Sequence, residues 1–165
     1  MEAKMNALLS DLVFFYHKLQ SYHWYISGHT FFQTHAKLEE YYDDIRPQID
    51  EVAETMLMSG YRPVSTMAAF ARHAKVKDAT EGFVGDVKAV YASILGDFKH
   101  LLESVKAIKA DADASNNYLV SAKMDDYIES YSKATCPYYL HIPLRASVSL
   151  KLHRFRTKKS QSQAE

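Results

Sequence analysis

The strongest constraint on the fold is a series of long segments in which apolar residues recur every three or four positions with little to interrupt them. In residues 5–27, Leu8, Leu9, Leu12, Phe15, Leu19, Tyr22 and Ile26 keep that spacing, the signature of a helix with one buried face. Gly28 supplies an end. A second helix is expected to start between residues 30 and 33 and run to 59, with Gly60 taking the left-handed terminal conformation. Pro47 lies within it, lacks an N–H and crowds the carbonyl of Asp43, so this helix should be continuous but bent. Ser65 or Thr66 can cap a short linking helix that reaches His73. Asp78 and Glu81 read as a capping box. They would open a third long helix, to about residue 110, in which Phe83, Val87, Val90, Ile94, Phe98, Leu101, Leu102, Val105 and Ile108 keep the helical spacing. Residues 111–114 read as a polar turn and Ser115 as a cap, and 118–135 as a fourth long helix stopped by Pro137.

A chain of 165 residues suits one domain. The single cysteine, Cys136, excludes an intrachain disulfide framework and a thiolate-only metal cluster built by one chain. No run of eighteen apolar residues supports a membrane span, and the N-terminal segment lacks the long apolar stretch and small-residue cleavage pattern of a secretory leader; the expected location is the cytoplasm. Short first and third connections make antiparallel hairpins, whereas the long second one lets helices two and three run parallel. The expected fold is all-α, an up-down-down-up four-helix bundle of ferritin-like topology with a short helix in the connection between helices two and three. The bundle should occupy residues 1–140, and residues 141–165 should form a basic C-terminal tail with one short strand or docked segment, then disorder.

Formal net charge is zero, yet the charge is unevenly placed. Residues 145–165 hold Arg145, Lys151, Arg154, Arg156, Lys158 and Lys159 against Glu165 alone, leaving 14 basic and 19 acidic side chains in the preceding residues. An acidic body attracts cations and a basic tail attracts polyanions.

The second helix carries the chemistry. His35 and Glu39 are four apart, as are Asp50 and Glu54, and each pair projects from one side. Glu39 and Asp50 are eleven apart, which at about 100° per residue lies about 20° from full turns, so all four share one stripe. At about 1.5 Å per residue, His35 and Asp50 are roughly 22 Å apart, whereas ligands sit within about 2–2.6 Å of an ion. One helix cannot close the site. A second copy running antiparallel, crossing near residues 44 and 45, would set His35 and Glu39 of one chain against Asp50 and Glu54 of the other, twice by symmetry. His23, at the end of the first helix, is returned to the neighbourhood of His35 by the short turn. Two imidazoles with three hard oxygen donors suit iron, and zinc or manganese would fit the same donors. The implied chemistry is electron transfer from Fe(II) to peroxide or oxygen, followed by hydrolysis of Fe(III). Taken singly, His23 also fits an ordinary interface histidine, and Asp50 and Glu54 a solvated face.

The run Tyr22-His23-Trp24-Tyr25, then Gly28, Phe31-Phe32, His35 and Asp50-Glu51-Val52-Ala53-Glu54 closely resembles the Dps family of miniferritins, the DNA-binding proteins from starved cells. The likeness is clearest from residue 8 to 70 and weaker through 135. It implies a ferroxidase and iron store that protects against oxidative damage, with His23, His35, Asp50 and Glu54 forming a di-iron or iron-nucleation centre between two-fold-related subunits. Glu39 stands where the family commonly has Asp, so it would ligate directly or through water. The resemblance also implies that Trp24 takes up oxidising equivalents; a buried aromatic joining bundle layers is the structural alternative. It further implies a hollow dodecamer with 23 symmetry, hydrogen peroxide as the common oxidant, and acidic iron-admitting pores, for which Asp111 and Asp113 are the candidates although Asn117 replaces a common acid. The other functional class is a structural assembly that binds and compacts DNA nonspecifically. Its candidate contacts are Lys151, Arg154, Arg156, Lys158 and Lys159, because the N-terminus offers only Lys4.

Overall fold

A computed structural model of the chain describes residues 1–136. Five helices follow one another: α1 (Glu2–Tyr25), α2 (Phe31–Met58), the short α3 (Met67–His73), α4 (Val87–Ala114) and α5 (Tyr118–Thr135). The four long ones form the up-down-down-up bundle, and α3 sits in the connection between α2 and α4, packed against α1. The bundle's boundary at residue 140 and its tail lie outside the described residues.

The apolar stripes converge as their spacing requires. Leu8, Leu12, Phe15 and Leu19 of α1 meet Leu38, Ile45, Val52 and Met56 of α2, Ile94, Phe98, Leu101 and Val105 of α4, and Val120, Met124 and Tyr131 of α5 in one core. Phe15 meets Phe98 edge to face at 4.9 Å, a geometry that adds to simple area burial. Pro47 lies on the exposed side of α2, which continues through it.

Polar side chains of α1 set the path of the long connection. Asn6 donates to the Arg62 carbonyl at 3.1 Å and accepts from Val64 N–H at 2.8 Å. Asp11, 1% exposed, accepts from the main-chain N–H of Lys75 and Val76 and lies 2.8 Å from His100 Nε2. Lys18 of α1 pairs with Asp97 of α4 at 2.7 Å, both largely buried. A buried charge without such partners would be costly. The crossover is therefore held at defined points along its length.

Helix boundaries depart from the sequence reading in two places. The third long helix starts at Val87 under an Asp86 cap that accepts from Ala89 N–H, not at Asp78, and the capping box at Asp78 and Glu81 does not form. The backbone of Val84 is instead taken by α1's end: its N–H donates to the Tyr25 carbonyl at 2.9 Å and its carbonyl accepts from Ser27 N–H at 3.1 Å. Gly82, at φ 93°, adopts a conformation closed to a right-handed helix. Phe83, placed on the core stripe by spacing, is 81% exposed. At the other end, Asp111 to Ala114 form the last turn of α4 rather than a polar turn, and Ser115 closes α4 by donating to the Asp111 carbonyl at 2.8 Å. Asn117 is the residue that caps α5, accepting from Val120 N–H at 3.2 Å. Gly60 has φ 77° at the end of α2, as its position predicts.

Candidate metal centre

The hairpin of α1 and α2 brings His23 against His35. Their rings stack with centroids 3.6 Å apart at 20°, and each Nδ1 lies 2.9 Å from the main-chain carbonyl oxygen of the other residue. A carbonyl only accepts, so both Nδ1 atoms carry the proton and donate. Nε2 is then the ring nitrogen that carries the lone pair in the neutral form of each histidine. Reciprocal tethering of this kind fixes tautomer and ring orientation together, as outer-shell partners of ligating histidines commonly do. Phe31 stacks on the far side of His35 at 4.9 Å, and Tyr42 meets His23 edge-on at 5.3 Å. Burial is the largest of the effects that raise the Tyr42 hydroxyl's pKa, followed by the charges of Glu39 and Asp43 and a hydrogen bond to Glu39.

The acids stand apart from this pair within one subunit. Glu39, Asp50 and Glu54 are exposed on α2, and among the described residues no group of three His, Cys, Asp or Glu side chains could hold a metal ion. At about 1.5 Å per residue the interval from His35 to Asp50 is roughly 22 Å. The subunit thus presents half a donor set at each end of one helix face: two nitrogens beside α1, two carboxylates near the other end, and Glu39 between. These carboxylates make no ion pair among the described residues, whereas Glu51, on the inward side, is 3.3 Å from Lys123 and accepts from Tyr127 at 2.9 Å.

Trp24 follows His23 but points away from the imidazole pair: it meets His17 edge-on at 6.0 Å and is 57% exposed. The alternative of a buried aromatic joining bundle layers does not hold in this subunit. Asp111 and Asp113 are not free acids either. Asp111 pairs with Lys4 at 2.7 Å, which lowers its carboxyl pKa, and Asp113 accepts from Ser121 and lies 3.6 Å from Lys109 Nζ. Lys151, Arg154, Arg156, Lys158 and Lys159 lie outside the described residues. Sequence reading missed the ring contacts of Tyr42 and the exposed Arg46 in the middle of the acidic stripe; both positions were legible as members of the face that holds Glu39 and Asp50.

A family model described as a ferritin-like domain matches residues 2–135. The chain is 33% identical over 126 residues to a DNA protection during starvation protein of Brevibacillus brevis, covering 76% of this chain and 83% of that protein. Among solved structures it is similar to a Dps protein of Vibrio cholerae O1, described as a member of a broad superfamily of ferritin-like diiron-carboxylate proteins, with TM-score 0.76, 32% identity and coverage of 80% and 82%. Antigen TpF1 of Treponema pallidum matches with TM-score 0.81 at 27% identity, covering 87% and 90%.

Proposed function

The chain belongs to the ferritin-like family, among the Dps proteins, and from that membership we propose that it is a ferroxidase and iron store whose reaction centre is shared by two subunits. The observation that carries the reading is the split donor set: two tethered imidazoles with free Nε2 atoms, and a separated pair of exposed carboxylates on the same helix face. Antiparallel pairing of two α2 helices, crossing between residues 44 and 45, would set His35 against the second copy's Glu54 and Glu39 against its Asp50. His23 completes each site, and the two sites are equivalent by symmetry. Mixed imidazole and carboxylate donors suit a first-row divalent ion that must be bound, oxidised and released.

Fe(II) is the substrate. With hydrogen peroxide, two Fe(II) give up two electrons, two protons are consumed, and the products are two Fe(III) and two waters. Fe(III) then hydrolyses to oxyhydroxide, releasing protons, and is stored as mineral inside a hollow oligomer, in this reading a dodecamer of 23 symmetry. This chain's own contribution is to fix both imidazoles through their Nδ1 atoms so that Nε2 is the nitrogen left for the cation, to supply the carboxylates that offset the cation's charge, and to keep Glu39 beside Tyr42. Trp24, the exposed neighbour of His23 in sequence, is the candidate for taking up stray oxidising equivalents.

Anaerobic addition of Fe(II) followed by peroxide tests the proposal. Oxidation near two Fe(II) per peroxide is expected, with loss of that activity in His35→Ala and Asp50→Asn proteins that still assemble. Unchanged oxidation in both variants would overturn the assignment of the site.

A further inference from the structure

The exposed face of α2 is complementary to itself along its whole length, beyond the proposed metal ligands. At about 100° per residue, residues 32, 35, 39, 43, 46, 50, 54 and 57 fall within a band about 100° wide. Phe32 is 81% exposed and Leu57 62% exposed, large apolar groups left uncovered on this stripe, as Met58 is at the end of the helix. Asp43 and Arg46 are both exposed, and neither is in an ion pair among the described residues. In the antiparallel arrangement centred between residues 44 and 45, residues equidistant from the centre oppose each other. Phe32 then meets Leu57, Ala36 meets Ala53, and Asp43 meets Arg46.

We propose that Asp43 and Arg46 form two reciprocal intersubunit ion pairs at the centre of this interface and set its register. The inference rests on the shared-site reading above and names what aligns it. The occupant is a second copy of this chain, because the order of residues along the stripe reads as its own complement: apolar, imidazole, acid, then acid against base. Shifting one helix by four residues in one direction would lay Asp43 against Asp50 and Glu39 against Glu54, and shifting it in the other would lay Arg46 against Glu39 and leave Asp43 without its cation. The small Ala36 and Ala53 let the helices approach at the flanks, so the central charges lose water on pairing. An ion pair at such a position selects register more than it adds affinity.

The other charged groups near this pair on α2 are Glu39, Glu40, Asp44 and Asp50. Glu40 is engaged by Lys37 at 2.6 Å, and Asp44 lines the groove between α2 and α5. Arg46 is thus the only exposed cation of α2 that lies on this stripe.

Charge reversal tests the proposal, read by sedimentation across a dilution series. Asp43→Arg or Arg46→Asp alone should weaken two-fold association by at least about tenfold, and the double exchange should restore it to within about threefold. Circular dichroism verifies that each variant is folded. Single reversals without effect, or a double exchange that fails to restore association, would overturn the inference. Bismaleimide cross-linking of Phe32→Cys protein to Leu57→Cys protein, both in a Cys136→Ser background, separates this from the wider reading. A cross-link with no sensitivity to charge reversal defeats the register role alone, whereas no cross-link defeats the α2 pairing and the shared site with it.

Discussion

His23 and His35 each spend one ring nitrogen on the other's backbone. Loss of either therefore removes a ring nitrogen and also the stacked neighbour of the surviving ring, whose own Nδ1 bond to the main-chain carbonyl remains. His23→Ala and His35→Ala proteins should each bind Co(II), used as a spectroscopic stand-in for Fe(II), more than about tenfold more weakly than the parent. A visible-absorption titration reads this, and undiminished Co(II) affinity in both would rule the imidazoles out as ligands. Asp11 has a different kind of importance. It is 1% exposed, accepts two main-chain N–H groups and faces His100, so Asp11→Ala leaves buried donors unsatisfied. A loss of about 3 kcal/mol in unfolding free energy is expected, measured by urea denaturation.

At the scale of elements, helix ends offer a test that separates propensity from tertiary pairing. Asp86 and Asn117 cap α4 and α5 through their side-chain oxygens. Replacing either with Ala should cost about 1 kcal/mol. Asp78→Ala, at a position that looks like a cap in sequence, should cost almost nothing; equal losses at Asp78 and Asp86 would contradict the observed start of α4. Sequence reading placed that start too early because it weighed a local capping pattern and one apolar residue, Phe83, without knowing that Val84 would pair with Tyr25 and Ser27. The end of α2 was readable because Gly60 acts through its own backbone. The same asymmetry covers the candidate pore acids: Asp111 looked free because Lys4, its partner, is far away in sequence.

The whole molecule carries its buried tyrosines as a latent response to alkali. Burial, reinforced by Tyr91 and the carboxylates of Glu40 and Asp44, pushes the Tyr41 phenol up to about 12, and burial shifts Tyr127 and Tyr131 in the same direction. An unfolded tyrosine releases its proton near pH 10. Between about pH 10 and 12 the unfolded chain therefore holds fewer protons than the folded one, and stability falls as pH rises. Urea midpoints should be level below about pH 9 and decline above about pH 10, less steeply in Tyr41→Phe protein. Parallel declines in parent and variant would remove Tyr41 from the account.

The alternative reading, nonspecific DNA contact through Lys151, Arg154, Arg156, Lys158 and Lys159 outside the described residues, has its test at this scale too. Removing residues 151–165 should abolish salt-sensitive DNA retention while iron oxidation persists, and retention by the truncated protein would exclude the tail as the contact.

Four amphipathic helices, their hairpin order and the unusual stripe of His35, Glu39, Asp50 and Glu54 were determined by the sequence alone, because helical period and single-residue backbone effects are local properties. The mutual tethering of two imidazoles, the engagement of Asp111 and Asp113, the exposure of Trp24 and the true beginning of α4 were decided only by tertiary structure. The tethering, the pairing of Asp111 with Lys4 and the start of α4 each depend on a partner from another element, and no periodicity within one helix records which carbonyl, ammonium or N–H from elsewhere will arrive beside it.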